Sequence, residues 1–246
     1  MWNKPQLLNA IADLLMLVGG AMLLAAAAVW VVRVPSLPLR QVVFASELPH
    51  TRRLEVEQVL PAALKGNFFS LNLESVRATL ERLPWMRRVE VRRVWPDRLE
   101  IRAEEHQPVA RWGEGRGELV NSYGEVFAAT PPAEEGERMP LLFGPGGTAP
   151  EVLQRYGELV GSLQTIGERP VQLVLSPRLA WQMKLGNGML VEMGREQPKS
   201  SVAARLQRFI DIYPETVGQR AERPAVVDLR YPNGFAMRVA AEARGK

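Results

Sequence analysis

The sequence predicts a single-pass membrane anchor followed by an α+β portion: a compact β-α-α-β-β unit, then a mixed, mostly antiparallel β-domain with packed helices. Three observations carry this. Residues 14–32, LLMLVGGAMLLAAAAVWVV, hold no charge. Between 41 and 106 the apolar period changes from that of a strand to that of a helix and back. From 107 onward short apolar strings alternate with Gly, Pro and Asn, interrupted by two helical stripes. The 246 residues suffice for one or two domains of roughly 100–200 residues each. With 46% hydrophobic and 24% charged residues, most of the chain reads as folded protein, and one apolar run excludes a polytopic membrane protein.

As a helix the uncharged run reaches about 28 Å, close to the roughly 30 Å of a hydrocarbon core. A cleaved signal would show a shorter apolar region and a small-residue cleavage site. Here Trp30-Val31-Val32-Arg33 follows, which is bulky, so 14–32 is read as an uncleaved transmembrane anchor. Residues 1–13 are its short tail and helix start, and 33–40, with two prolines, is a linker. Lys4 against Arg33 and Arg40 does not fix the orientation, because large domains translocate regardless of nearby charge. Gly19, Gly20 and Ala25 to Ala28 form a small-residue face that permits close helix pairing.

In the unit at 41–106, residues 41–45 read as a strand. Val56, Val59, Leu60 and Leu64 share a helical face, on which Pro61 demands a kink or an early end. Gly66-Asn67-Phe68-Phe69-Ser70 is a turn. Asn72 caps a second helix bearing Leu73, Val76, Leu80 and Leu83, and Pro84 stops it. Val89 and Val91, then Leu99, Ile101 and Ala103, alternate with charged residues on either side of Trp95-Pro96-Asp97, which marks a hairpin.

The β-domain is expected over 107–240. Segments 109–112, 119–121, 125–128, 141–143 and 171–175 are short strands, and 150–166 is a helix. Trp181, Met183 and Leu185 face Met189, Val191 and Met193 across Gly186-Asn187-Gly188, a strong hairpin signal. A helix over 199–213 presents Val202, Leu206, Phe209, Ile210 and Tyr213. A last hairpin spans 226–239 around Pro232-Asn233-Gly234, and 241–246 reads as a disordered tail.

Little in the chain points to chemistry. Zero cysteines exclude disulfides, zinc-thiolate sites and cysteine nucleophiles. A net charge of +4 is not the concentrated basic footprint of a nucleic-acid binder. His50 and His106 lack a second ligand at metal spacing and are read as exposed polar residues. No nucleophile elbow, S-x-x-K motif or P-loop occurs, and the Gly113–Gly117 run opens no helix. Glu104-Glu105 and Glu134-Glu135 are adjacent rather than facing. No catalytic, metal or cofactor residue is therefore assigned, no cofactor is expected, and an anchored enzyme is the weakest of the rival readings. Arg87, Arg88, Arg92, Arg93, Arg98 and Arg102 crowd the first hairpin. Two readings stand: a docking face for an acidic partner or anionic lipid, or a solvated face with Glu90, Glu100 and Glu104 interleaved.

The motifs in order then resemble a known family. They are Gly66-Asn67-Phe68-Phe69, Leu83-Pro84-Trp85, Arg92-Arg93-Val94-Trp95-Pro96-Asp97 and Pro108-Val109-Ala110-Arg111-Trp112, followed by Asn121 with Gly124-Glu125-Val126-Phe127. Gly194-Arg195, Arg205-Leu206, Arg208-Phe209 and Val227-Asp228-Leu229-Arg230-Tyr231 with Gly234 complete the series. Across nearly the whole chain the sequence resembles the DivIB/FtsQ family of bacterial cell-division proteins. The resemblance implies a cytoplasmic N-terminus, one inner-membrane helix, a POTRA domain at 41–106 and a periplasmic β-domain. It implies a non-enzymatic divisome scaffold enriched at the septum, linking early to late division proteins and binding FtsB and FtsL. The alternative is a POTRA-bearing membrane protein acting in protein export or outer-membrane assembly.

Two sites follow as expectations. The final strand, 235–239, is expected as an uncovered edge inviting a partner strand. Alternation puts Tyr231 with Asn233 on one face and Phe235, Met237 and Val239 on a common face. The resemblance implies that FtsB adds there, with Arg230 and Arg178 as candidates to pair with its acidic residues. The competing reading has Tyr231 and Phe235 filling the core. The POTRA domain is expected to serve recruitment, through its strand edge or through Arg88, Arg92 and Arg93.

Overall fold

The computed structural model describes residues 5–33, 39–113, 117–198, 200–218, 224–231 and 234–239. The linker residues 34–38, Lys199, Pro232, Asn233 and the expected tail at 241–246 lie outside them, as do residues 114–116 of the glycine-rich loop. Helix α1 covers Pro5–Arg33. It starts earlier than the uncharged run because Pro5 suits a first helical position and no breaker follows it. Within it Asn9–Ala27, of mean hydropathy 2.1 and wholly unburied, is long and apolar enough to cross a bilayer, as no other helix among the described residues is. This fits a single-pass anchor.

The chain divides into two compact units, Met1–Glu105 and His106–Lys246. After α1 the first unit contains β1 (Gln41–Phe44), α2 (Arg53–Ala63), α3 (Leu73–Leu80), β2 (Met86–Val94) and β3 (Arg98–Glu105). The sheet order is β1-β3-β2, with β1 parallel and β2 antiparallel to β3. Pro61 falls in the last turn of α2, where its missing N–H costs one helical bond and the helix closes at Ala63, with the Leu64 amide on the Leu60 carbonyl at 3.1 Å. The Asn72 side chain accepts from the Ser75 amide at 3.1 Å, a cap that stabilises α3 by about 1 kcal/mol. Val56 and Leu60 of α2, Val76 and Leu80 of α3, and Val89, Leu99 and Ile101 of the sheet form one buried cluster. The helices thus cover one sheet face, and the charged alternates of β2 and β3 take the other.

The second unit runs β4 (Pro108–Trp112), β5 (Glu118–Asn121), β6 (Val126–Ala128), α4 (Ala133–Arg138), β7 (Leu141–Phe143), α5 (Ala149–Leu163), β8 (Pro170–Leu175), β9 (Ala180–Leu185), β10 (Leu190–Arg195), α6 (Val202–Thr216), β11 (Val226–Asp228) and β12 (Ala236–Arg238). These strands form one sheet in the order β12-β11-β10-β9-β8-β7-β4-β5-β6. Neighbours are antiparallel except β10/β11, β7/β8 and β4/β7. Parallel neighbours need a crossover, and α5 and α6 supply it between β7 and β8 and between β10 and β11. Both helices pack on the core through Val152, Leu159, Leu163, Leu206, Phe209 and Ile210. The hairpin expected across 186–188 forms with Leu190 opposite Lys184. Helix α6 begins at Val202, where Ser201 caps the Ala204 amide at 3.1 Å, and continues past Tyr213 to Thr216. Helix α4 was not expected: its six residues bury nothing and carry no apolar stripe.

A candidate partner-binding edge

Strand β12 ends the sheet order, and its described neighbour is β11, with Val226 opposite Arg238 and Asp228 opposite Ala236. The Arg238 carbonyl accepts from the Ala225 amide at 2.9 Å, so Arg238 turns its backbone toward β11. Alternation then turns the N–H and C=O groups of Met237 and Val239 away from the sheet. Among the described residues no strand pairs with them on that side. Phe235 and Met237 pack against the core, and Phe235 meets Phe209 edge-to-face at 5.7 Å. Val239 is 43% and Tyr231 54% exposed. The two aromatics therefore part: Phe235 joins the core, as the competing reading held for it, and Tyr231 does not. Asn233 lies outside the described residues.

The register also brings two expected cations to one end of the sheet. Ala180 lies opposite Arg195 and Asp228 opposite Glu192, so the β8–β9 turn with exposed Arg178 and the segment after β11 share that end. Arg230 differs from expectation, because it already has acidic partners. It grips Asp228 with two bonds of 2.8 and 2.6 Å, and Glu192 lies 2.9 Å away. The Arg230 hydrogen bond holds the Asp228 carboxyl below the usual range, and Asp228 in turn raises Arg230. Its stem passes over Gly194 (φ +76°), where a Cβ would lie 2.9 Å from Arg230 Cγ. Asp228, the last residue of β11, sits two residues before Arg230 in nearly extended chain, and that spacing was the sequence signal for the pairing.

The recruitment candidates of the first hairpin, and Arg87 beside them, are likewise engaged. Arg88 faces Glu90 at 3.5 Å, Arg92 bonds Glu100 at 2.8 Å, and Arg87 bonds Glu104 at 3.0 Å. Arg92 holds Glu100 below its usual range and is itself raised. Arg93 points to the opposite face, where it donates to the carbonyls of Phe68 (2.7 Å), Leu71 (2.6 Å) and Phe69 (3.2 Å). It clamps the turn before α3, and its parity with Val89 and Val91 was the sequence signal for that inward direction.

Both histidines are packed rather than exposed, because each has an aromatic ring to stack on. His50 stacks on Trp85 at 4.4 Å and its Nδ1 lies 3.1 Å from Glu105. Burial alone would raise the Glu105 carboxyl, but hydrogen bonds from Thr51 and His50 outweigh it and hold it low. His106 stacks on Phe127 at 4.1 Å and bonds Asn121 at 2.9 Å. Asn121, fully buried, also accepts from the Tyr123 and Glu125 amides at 2.9 Å. Arg205 is 3% exposed and donates to the carbonyls of Met193 (3.0 Å), Arg195 (2.6 Å) and Ser200. Burial lowers its pKa. Its place on the apolar stripe of α6, three residues after Val202, was the available sign of burial.

The family model for the FtsQ/DivIB C-terminal region matches residues 110–230, and that for the FtsQ-type POTRA domain matches 37–106. A cell division protein FtsQ from Nitrosospira multiformis is 37% identical over 243 residues, covering 97% of this chain and 99% of the relative. The chain belongs to the FtsQ family of cell-division proteins. The FtsQ of Burkholderia pseudomallei is 37% identical over 98% of this chain and 95% of its own length. That of Escherichia coli is 33% identical over 85% and 75%. The first unit thus contains an FtsQ-type POTRA domain and the second the FtsQ/DivIB C-terminal domain. Membership speaks for a role in the divisome over the export alternative.

Proposed function

We propose that this chain is a non-enzymatic, bitopic scaffold of the inner membrane, with α1 as its span, the N-terminus cytoplasmic and both later domains periplasmic. It links early and late division proteins at the septum, and the β12 edge binds FtsB in a complex with FtsL. The observation that supports this most is the outward main chain of Met237 and Val239 on a strand whose Phe235 and Met237 are held by the core. Strand addition draws its affinity from such main-chain groups and asks little of the side chains. Arg178 remains a candidate for an acidic residue of the added strand, and Arg230 contributes by keeping the β11–β12 end ordered.

The test is binding of the full chain in detergent to a peptide covering the periplasmic part of FtsB. Val239→Pro removes one outward N–H and leaves the core untouched, so affinity falls up to about tenfold. Phe235→Ala acts through the seat of the strand and lowers both affinity and local protection from hydrogen exchange. Unchanged affinity in a folded Val239→Pro variant refutes the edge. A reporter active only in the cytoplasm, fused after Lys246, stays silent if the orientation is right.

A further inference from the structure

The tip of the β2–β3 hairpin is the least explained surface of the POTRA domain. Trp95 is 79% exposed, more than any other large apolar side chain outside α1 among the described residues. A second aromatic, Phe69, is 44% exposed at the same end, where its carbonyl accepts from Arg93 just before the tip. Neither ring is needed to fill the core at that end, which Phe68, Leu71 and Leu99 supply. Exposed cations flank the two rings. Arg40 donates its amide to the Asp97 carbonyl at 2.9 Å and keeps 72% of its side chain exposed, while Arg98, opposite Gln41, and Lys65, in the segment leading to Phe69, are exposed as well. Asp97 is the acid facing this group, 3.8 Å from Arg40, and Glu100 beyond it is occupied by Arg92 and Arg102.

The chain fixes where this end can lie. Helix α1 ends at Arg33, and Arg40 is bonded to the tip only seven residues later, a reach of at most about 25 Å. Strand β3 then carries the chain away from the tip, from Arg98 to Glu105, over roughly 23 Å. The POTRA domain is therefore entered at its Trp95 end and left at its far end. Aromatic rings with arginine and lysine around them are the residues that settle at a membrane–water interface.

We propose that this tip is a second membrane contact, in which Trp95 and Phe69 seat in the interfacial zone of the bilayer that α1 enters. Arg40, Arg98 and Lys65 lie against anionic phospholipid headgroups. The inference rests on the reading of α1 as a membrane span. Its consequence is a POTRA domain held at a set angle to the membrane, so that the far end is presented outward.

The test uses the full chain in vesicles of equal parts phosphatidylcholine and phosphatidylglycerol, with bromines placed high or deep on the acyl chains as quenchers. In a Trp2→Phe background, Trp30→Phe leaves Trp95 as the exposed reporter, and Trp95→Phe leaves Trp30; Trp85, Trp112 and Trp181 are buried. Trp95 emission is expected to be quenched more by shallow than by deep bromines. Arg40→Gln and Arg98→Gln each lower the bound-to-free ratio of the tip about fivefold, with Trp30 quenching unchanged. Trp95 unquenched while Trp30 is quenched overturns the contact and leaves the span standing. If neither is quenched, the span reading fails and the contact with it. Equal quenching of Trp95 in purely zwitterionic vesicles overturns the headgroup contribution.

Discussion

The sheets of the POTRA domain and of the C-terminal domain each have an edge strand, β2 and β12, with one neighbour among the described residues, and the two edges are built in opposite ways. Strand β2 is nine residues long, and its solvent face is filled by Arg88, Glu90 and Arg92, tied by ion pairs to one another and to β3. Charged, self-paired side chains on a long edge discourage a foreign strand. Strand β12 is three residues long, held from below by Phe235 and Met237, and shows only Ala236 and Arg238 on its outer face. A short edge with a charge on it limits pairing as well, so what β12 offers a partner is the outward main chain of Met237 and Val239. The comparison teaches that richness in arginine does not mark the sticky surface, since Arg88, Arg92 and Arg93 of the POTRA domain and Arg205 and Arg230 of the C-terminal domain are occupied with their own fold.

The largest expected effect lies in the support of the C-terminal sheet near the β12 edge. Arg205 satisfies the Met193 and Arg195 carbonyls at the end of β10, the strand on which β11 is laid, and the Ser200 carbonyl just before α6. Arg205→Met leaves those carbonyls without a donor in a closed site, and destabilises the C-terminal domain by about 3 kcal/mol or more. Hydrogen exchange of the full chain during denaturant unfolding should show the loss in 106–239 and not in 41–105. A loss spread evenly over both would break the contrast, because the two edges would then share one support.

The matching buried charge of the POTRA domain is Glu105, whose side chain is 6% exposed. Its carboxyl is held below the ordinary glutamate range, so it binds its proton less readily folded than unfolded. The stability it contributes is therefore complete above about pH 4.5 and is lost as pH falls through the depressed folded value. Glu105→Gln keeps the shape but weakens three charge-assisted bonds, at a cost of about 2 kcal/mol at neutral pH. Melting curves of the variant should show a shallower acid limb in the POTRA transition. An acid limb as steep as that of the parent would mean that other carboxylates control it.

Much of this architecture was legible because it is local. The hairpins at 95–97 and 186–188 announce themselves by period-2 alternation around a turn, and α5 and α6 by apolar residues at helical spacing. The order β8-β7-β4, with two parallel neighbours, depends on contacts distant in sequence and left no comparable trace. Residues that carried the resemblance, such as Asn121, Arg205 and the Asn67 turn, prove to be buried pegs of the fold. They reported ancestry and structure, whereas Phe235, Met237 and Val239 of the candidate edge were not among the motifs. Of the edge residues, the exposure of Val239 and Tyr231 follows from strand order, whereas Glu192 reaches Arg230 from a neighbouring strand and could not be foreseen. Parity would have turned Arg93 inward at once.

The smallest effect tests the guarded edge itself. Arg88 and Arg92 are well exposed, at 67% and 60% of their side chains, and exposed ion pairs contribute about 0–1 kcal/mol. Arg88→Gln with Arg92→Gln should leave the melting curve nearly unmoved, since Val89, Leu99 and Ile101 still fill the core. Removing both cations does, however, leave Glu90 without its arginine and Glu100 with Arg102 alone, which changes what that face presents. If the face recruits the protein to the septum through an acidic partner, a fluorescent fusion of the double variant spreads around the membrane although the protein is folded. If the arginines only keep the long edge soluble, the septal band persists and the purified variant self-associates more readily than the parent. The second result would leave β12 as the working edge and assign β2 to protection alone.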